Sequence, residues 1–541
     1  MIKPILILSL TIASIQVYAQ GRIEDQTVTV TVQNNTELGQ ATRTFEKNNE
    51  TPPQPTPRTL TYQYADLQLN LPKLDSKVKV PMIKPDAVTA LRSNYVKAGF
   101  GNYTAPYFEG FFGSQRNEKF HYGVHLKHLS YKNGSMRYSG SSENLVDLYG
   151  KYFTKSVLID GEVGYQRMGY NYYGYNESVA LDKDTIKQAY QTFRAKLGFS
   201  NKDSRAKFTW KVDGQMYIFS DKYKVSENET QGNALFGYTV NDQIRIELGS
   251  NLSVSNYKID TAGRQRIWYN ANPAVHYYRD KLHVKAGLNI AYANDTLSGS
   301  NGARVYPALF GDYNLIDKKL KAFASIDGSL DKNLLRTFTA QDPWLGQNIP
   351  LASTNRRLTF QAGLGGKALP YLQWSTKIGY STYTNLYFFN NTAKDTAKFT
   401  VLYDSAHTGV TNFVIDLQYD ENKAFKGGAK AEFFHYKTGL AEALHRPTFQ
   451  GLVYASYNLN RKIYFDANLY YISGIQAKNM TTGKAVALKP ITDLSFKMEY
   501  RVSDRISGFM TFNNLLNKKY QRYLNYQSRG LNIMVGATVI F

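Results

Sequence analysis

Basic side chains in one stretch of the chain come nearest to a pattern that could hold a metal ion or transfer a proton. His121, His125 and Lys127 lie at even spacing and share one face of an extended strand, whereas His128 lies on the opposite face. Residues four apart in a strand are roughly 13 Å from each other, which is too far to bind one ion. We therefore predict no metal site in this stretch.

Other signatures of catalysis are missing from the sequence. No Gly-x-Ser-x-Gly motif occurs, no carboxylates are paired at a suggestive spacing, and no serine has an adjacent histidine. The chain contains no cysteine, which excludes disulfides, thiolate ligands and a lipoprotein anchor at the cleavage site. We predict that the protein is not an enzyme, with no catalytic, cofactor-binding or metal-binding residues.

The first residues predict export from the cytoplasm. Lys3 supplies a positive charge, residues 5–15 form an apolar core, and residues 17–19 (Val-Tyr-Ala) make a small-residue cleavage site before Gln20. The apolar run is shorter than the roughly 20 residues needed to span a bilayer. We therefore expect residues 1–19 to be a signal peptide.

The composition favours a membrane barrel over a nucleic-acid-binding protein. Aromatic residues make up 14% of the chain, with 43 Tyr against 4 Trp, and barrels place aromatic girdles at both membrane interfaces. The formal net charge of +22 is spread over the chain instead of being gathered in one block. We expect this charge to meet anionic outer-membrane lipid and lipopolysaccharide, and to make the lumen favour anions.

From Tyr95 to the end, the chain consists of segments of about ten residues with a period of two, which is typical of barrel strands. Residues 494–502 show it clearly, with Leu494, Phe496, Met498 and Tyr500 on one face and polar residues on the other. Residues 282–290 show the same alternation. Counting the segments predicts an all-β fold, a transmembrane antiparallel barrel of about 22 strands with no plug domain.

Short and long connections alternate along this region, as the periplasmic turns and external loops of outer-membrane barrels do. The asymmetry predicts that both ends of the barrel region lie in the periplasm. The expected long loops are 132–139, 176–187, 221–229, 294–302, 336–355, 390–410, 437–446, 474–489 and 518–529.

Before the barrel the composition changes. Residues 20–58 are polar and end in a proline-rich stretch typical of a semi-rigid linker. Residues 59–90 alternate short apolar patches with lysine and proline, so they could lie in the periplasm or in the lumen. We assign residues 91–541 to the barrel.

The last strand carries a pattern like the signal read by the barrel-assembly machinery. Gly536, Val539 and Phe541 have its spacing, and the chain ends on an aromatic residue. Val535 departs from it, because that signal usually has a polar residue there. We expect these residues to act during insertion.

The end of the barrel resembles TonB-dependent receptors. Residues 512–520 (Phe-Asn-Asn-Leu-Leu-Asn-Lys-Lys-Tyr) followed by 529–532 (Arg-Gly-Leu-Asn) are similar to their last two strands. Residues 95–103 and 123–130 resemble a group of Bacteroidota outer-membrane proteins. The resemblance covers residues 91–541 and implies a receptor barrel.

That family normally has a plug of more than about 100 residues in its wide lumen, and residues 20–91 are too few for one. Thr27, Val28, Thr29 and Val30 nevertheless resemble the TonB box, through which an energy-transducing protein acts on the plug. The same Thr/Val alternation arises easily in any short strand.

Five Asp-(Ser/Thr)-apolar triplets resemble the O-glycosylation sites of Bacteroidota, whereas composition alone would give about one or two. The alternative is ordinary turn chemistry, which also favours Asp followed by Ser or Thr. The candidate acceptors are Thr185, Thr261, Thr296, Thr396 and Ser405.

Two functions remain open at this point. The first is a barrel without a plug that acts in solute passage across the outer membrane or as a subunit of an outer-membrane complex. The alternative is a non-conducting accessory subunit of barrel-assembly or surface-lipoprotein export machinery. The lumen could be open, filled by inward loops such as 336–355 and by the segment before Tyr95, or closed by a stoichiometric outer-membrane partner. Nothing in the sequence names a substrate.

Overall fold

The computed structural model describes residues 94–541, apart from 116, 133, 135, 176–181, 260–261, 298 and 422–423. The segments assigned to residues 1–19, 20–58 and 59–90, with the TonB-box-like residues Thr27 to Val30, lie outside the described residues.

The described chain folds into a closed, all-antiparallel barrel of 22 strands, which confirms the predicted fold class. The barrel strands are β1 (Tyr95–Gly101), β2 (Ala105–Gly113), β3 (Phe120–Tyr131), β4 (Ser141–Phe153), β5 (Val157–Asn171), β6 (Lys187–Asn201), β7 (Phe208–Asp221), β8 (Val225–Asn241), β9 (Ile244–Ile259), β10 (Ala262–Arg279), β11 (Leu282–Ala293), β12 (Gly302–Ile316), β13 (Leu320–Asp331), β14 (Thr354–Leu369), β15 (Leu372–Asn391), β16 (Phe399–Asp420), β17 (Phe425–Lys437), β18 (Phe449–Leu459), β19 (Ile463–Ser473), β22 (Ile491–Arg501), β23 (Ile506–Asn513) and β26 (Asn532–Ile540).

Smaller elements lie in the connections. A short helix, α1 (Leu335–Gln341), follows β13, and two small hairpins pair β20 (Gln476–Lys478) with β21 (Ala485–Ala487) and β24 (Gln521–Tyr523) with β25 (Tyr526–Gln527). Among the described residues, no helix has the length and apolar character that a bilayer crossing requires.

The first and last strands close the barrel. β1 pairs with β26 along its whole length, from Tyr95 opposite Ile540 to Gly101 opposite Met534. The amide of Phe541 also donates a hydrogen bond of 3.0 Å to the carbonyl of Asn94. Closure leaves no unpaired sheet edge, which a barrel needs in lipid because exposed backbone groups there have no water to bond.

Period-two alternation separates a polar inner face from an apolar outer face. On β22, Leu494, Phe496, Met498 and Tyr500 lie on the more exposed outer face, as predicted, while Asp493, Ser495, Lys497 and Glu499 are buried on the inner face. On β11, Leu288 and Ile290 are likewise exposed outside. The apolar outer surface is therefore formed by alternate residues of each strand and not by continuous apolar segments of the sequence.

The connections separate the barrel into two unlike ends, which we call the short-turn mouth and the long-loop mouth. At the short-turn mouth two to six residues join neighbouring strands, and both ends of the described chain lie there. At the long-loop mouth the longest connections are residues 332–353, 474–490 and 514–531.

Two connections that we predicted as long loops are instead tips of strand hairpins. Only residues 222–224 separate β7 from β8, and only 392–398 separate β15 from β16, so the expected loops 221–229 and 390–410 are largely wrong. Their polar residues still pair, as Ser220 does with Ser226, because the hydrogen bonds between two strands are made by the backbone and do not require apolar side chains.

Candidate functional site

The connection between β13 and β14, residues 332–353, folds across the long-loop mouth, and we call it the mouth lid. Its helix α1 buries Leu335 and Phe338 in the largest apolar cluster of the described residues. Leu345, Ile349 and Leu351 of the lid belong to the same cluster, and its remaining members come from β6 to β9, from the hairpin of β15 and β16 and from the hairpin of β24 and β25. The lid therefore contacts the barrel on several sides and crosses its opening.

Aromatic side chains form the centre of this packing. The Trp344 ring of the lid stacks on Tyr526, with the ring centroids 3.9 Å apart, and it contacts Tyr173 and Tyr523 edge-on. Phe338 is fully buried, and its ring contacts those of Tyr387 and Phe389. Offset and edge-to-face ring pairs of this kind stabilise a contact beyond the area they bury.

Tyrosine hydroxyls from separate parts of the barrel converge on the lid backbone. Tyr190 on β6 donates to the carbonyl of Pro343 at 2.9 Å, and Tyr172 beyond β5 donates to Leu345 at 2.7 Å. From β24, Tyr523 donates to Gln341 at 2.7 Å. Each bond satisfies a lid carbonyl that would otherwise lose its contact with water on burial.

Charged side chains attach the beginning of the lid to the barrel wall, and we call them the latch. The Glu229 carboxylate on β8 accepts hydrogen bonds from Lys332 and, at 2.7 Å each, from Arg336 and Ser253. Arg266 on β10 donates to the carbonyl of Asn333 at 2.7 Å. The buried Arg266 also pairs with Asp295 at 2.9 Å.

Glu229 and Arg266 are thereby the wall residues that fix the start of the lid. Removing one partner of a buried pair leaves an uncompensated charge and typically costs about 3–5 kcal/mol.

The lid buries an ionisable side chain in its interior. Asp342 is completely buried at the end of α1; Oδ1 accepts a bond from the Trp344 amide, and Oδ2 has no hydrogen-bond partner among the described residues. Burial raises the pKa of Asp342 to about 8, although nearby Arg522 acts in the opposite direction. The carboxyl group is therefore protonated at neutral pH while the lid is closed.

His445, in the connection between β17 and β18, is held neutral. Its Nδ1 lies 2.8 Å from the carbonyl of Phe389, which can only accept, while Nε2 lies 3.2 Å from the amide of Leu524, which can only donate. This pair of contacts fixes the neutral tautomer. Burial lowers the pKa of His445 to about 3, and the Arg522 guanidinium contributes in the same direction.

The basic side chains that opened the sequence analysis belong to the inner wall. His125 Nε2 lies 2.9 Å from Glu109 Oε1, and Lys127 Nζ lies 2.8 Å from Glu143 Oε2. His128 is on the other face, within 2.7 Å of Asn144. No three His, Asp or Glu residues in the described part of the chain are grouped so as to hold a metal ion.

The residues of the predicted assembly signal have distinct places in β26 and just after it. Gly536 lies against Phe509 and the backbone of Ala98, where a Cβ atom would come within 2.4 Å of the ring and 2.1 Å of the carbonyl oxygen. Val539 and the terminal Phe541 are exposed on the outer surface. Gly536 therefore has a packing role here, while Val539 and Phe541 remain accessible.

The candidate glycosylation residues that can be located lie toward the long-loop mouth. Thr185, Thr296 and Ser405 are exposed, Thr396 is half-buried, and Thr261 lies outside the described residues. Ser405 lies within β16 and not in a loop, because β15 and β16 extend farther than we predicted. Turn chemistry is present as well, since Asp395 and Asp404 each accept a 3.1 Å bond from the amide two residues later.

No protein-family model matches the chain, and no curated protein sequence matches it either. Solved structures do. The FrpB iron transporter of Neisseria meningitidis (F5-1 variant) superposes with a TM-score of 0.66 at 9% identity, covering 84% of this chain and 83% of that one. A mutant of the ferric enterobactin receptor of Pseudomonas aeruginosa gives 0.60 at 10% identity, with 83% and 80% covered. The ferric-catecholate import receptor Fiu of Escherichia coli K12, in its closed form, gives 0.62 at 10% identity, with 83% and 82% covered.

At such low identity the similarity defines the fold. The chain has a 22-stranded barrel similar in fold to the barrels of these solved proteins. The mouth lid and the latch were not located by the sequence patterns. Sequence reasoning indicated only that a long loop such as 336–355 could fold inward.

Proposed function

We propose that the protein is an outer-membrane barrel for gated passage of solutes, in which the mouth lid is the gate. The main support for this proposal is the mouth lid, which joins several sides of the long-loop mouth through buried aromatic rings and tyrosine hydroxyls. In this orientation the long-loop mouth faces the exterior and the short-turn mouth faces the periplasm. The lid then closes the barrel lumen, which is the role of the plug in the family that this barrel resembles.

The structural neighbours support transport as the class of activity, since their names describe an iron transporter, a ferric enterobactin receptor and a ferric-catecholate import receptor. Fold alone is weak support for a function, so the proposal rests on the lid. Expected partners remain outer-membrane lipid and lipopolysaccharide, the barrel-assembly machinery during insertion, and any outer-membrane protein that co-purifies with the barrel. The TonB-box-like residues and the O-glycosylation of the candidate acceptors belong to this proposal as well.

The latch offers a test of gating. Glu229→Gln removes the charge that holds Lys332 and Arg336, so the lid should detach more often and the open probability in planar bilayers should rise. The matched control is Glu162→Gln, because Glu162 pairs with Arg194 on the wall and has no contact with the lid. We expect the control to behave like the wild type.

Isolation from native membranes in mild detergent separates this proposal from the alternative. A lone barrel whose open probability rises only in the Glu229→Gln variant supports gated passage. A stoichiometric complex, with both variants closed, contradicts it and favours a non-conducting accessory subunit of assembly or export machinery.

A further inference from the structure

A groove of about 1020 Å³ lies at the short-turn mouth, and we call it the mouth groove. It is lined by three neighbouring turns, those that join β8 to β9, β10 to β11 and β12 to β13, together with Gly365 and Gly366 near the end of β14. The volume is that of a small-molecule site. The mouth groove is on the opposite side of the barrel from the mouth lid.

Cationic side chains outnumber acidic ones in the mouth groove. Five basic residues line it against three aspartates, which gives a net formal charge of +2 for these eight residues. A concave surface with an excess of one charge raises the local concentration of ions of the opposite sign. The basic residues are Arg279, Lys281, Lys318, Lys319 and Lys321.

The ion pairs in and beside the mouth groove do not neutralise all of its cationic side chains. Asp312 is already engaged, with His283 at 3.0 Å and Lys321 at 2.9 Å. Lys281 pairs with Asp317 at 3.0 Å. Lys318 has no ion pair with a described residue, and it lies at the tip of the β12–β13 turn with a φ of +56°.

A flat aromatic wall completes the mouth groove. The rings of Tyr278 and His283 are nearly parallel, 3° apart in plane and 4.4 Å between centroids. Asp312 bonds Nδ1 of His283, and His276 lies 3.1 Å from its Nε2, so the His283 ring is fixed in place. The groove thus combines a rigid wall with lysine side chains beside it.

We propose that the mouth groove binds a small solute that carries carboxylate or phosphate groups, with Lys318 as its principal cationic contact. This inference rests on the proposed function, because it places a solute site on the periplasmic side of the gated lumen. Lysine ammonium groups bind either anion through charge-assisted hydrogen bonds. The concave shape and small-molecule volume favour a small solute over an acidic protein.

The test is isothermal titration calorimetry of the purified full chain in detergent at low ionic strength, with citrate and pyrophosphate as separate probes. The variant is Lys318→Gln/Lys319→Gln. The matched control is Arg461→Gln/Lys462→Gln, which removes two consecutive cations from the three-residue turn between β18 and β19, outside the groove. We expect saturable binding of at least one probe, about tenfold weaker in the groove variant and unchanged in the control.

Citrate binding alone would assign a carboxylate solute, and pyrophosphate binding alone a phosphate-bearing one. Absence of binding of both probes to the wild type would overturn the inference, as would an equal loss in the control. Polyglutamate binding far more tightly than either probe would also overturn it, in favour of an acidic protein partner. None of these binding measurements depends on conduction. A failure of the proposed gating would therefore be seen separately, in the planar-bilayer recordings.

Discussion

Asp342 shows how a single residue can make closure of the mouth depend on pH. Its pKa is about 8 in the closed lid against an ordinary 3.8, so the closed state keeps a proton that an opened lid would release to water. Closure is therefore strongest below the ordinary value, and it weakens as pH rises toward 8. His445 has its contacts with Phe389, Leu524 and Tyr523 outside the lid, and its pKa of about 3 against an ordinary 6.5 confines its titration to pH values below 6.5.

Between pH 6.5 and 8 Asp342 titrates differently in the closed and opened states. Glu227 on β8 also titrates in this window, because burial raises its pKa to about 7 and it accepts a hydrogen bond from the Arg336 amide of the lid. Asp342 alone should raise the open probability of the wild type by at most roughly tenfold per pH unit, so Asp342→Asn should show a smaller slope than the wild type. Asp184→Asn, at an exposed residue, is the control and should retain the wild-type slope. A wild-type profile that is flat from pH 6.5 to 8, measured in planar bilayers, would contradict the assignment.

Sequence alone could not identify these residues. An isolated Asp in a polar loop is indistinguishable from ordinary turn chemistry, and Asp342 acquires its properties only when Trp344 and Tyr526 cover it. Glu229 is similar, because on β8 it is one of eight consecutive polar or glycine residues, 226–233. The contacts that define the lid join residues far apart in the chain, such as Glu229 with Arg336 at a separation of 107 positions, and period-two patterns carry no information about them.

At the scale of elements, the strands were predictable because one physical rule governs them all. Alternation between lipid and lumen gave the strand count and the outer face of β22. The ends of β7, β8, β15 and β16 were not predictable, since polar residues above the lipid pair as strands without any apolar signal.

The outer face of β22 yields a prediction about stability. Met498 lies on this face between its cross-strand neighbours Phe465 and Met510, so Met498→Arg would place a cation in lipid. We expect a loss of about 2–4 kcal/mol in the free energy of unfolding if the site lies near the bilayer centre. Urea titration in lipid vesicles measures this, with Ser503→Arg in the exposed β22–β23 turn as the control. Equal stability of both variants would show that this face does not contact lipid.

The whole molecule depends on joining its last strand to its first, and the terminal aromatic residue is predicted to guide that step. Phe541→Ala keeps the backbone bond to Asn94 but removes the ring, which otherwise contacts Phe112. We expect less protein in the outer-membrane fraction, with more degraded chain in the periplasm, while Phe541→Tyr stays near wild type. Normal amounts of the alanine variant would refute a role of this ring as an assembly signal.

Closure of the wide barrel by residues 332–353 of its own chain is the central proposal. The most direct measurement is the single-channel conductance of a variant in which residues 333–352 are replaced by a short Gly-Ser linker, after its barrel has been shown to assemble. The wild type should be closed most of the time, and the variant should conduct steadily as a wide pore, because a 22-stranded barrel is wide enough to need an occluding element. A wild type that conducts as an open pore, or a variant that stays closed, would contradict the account.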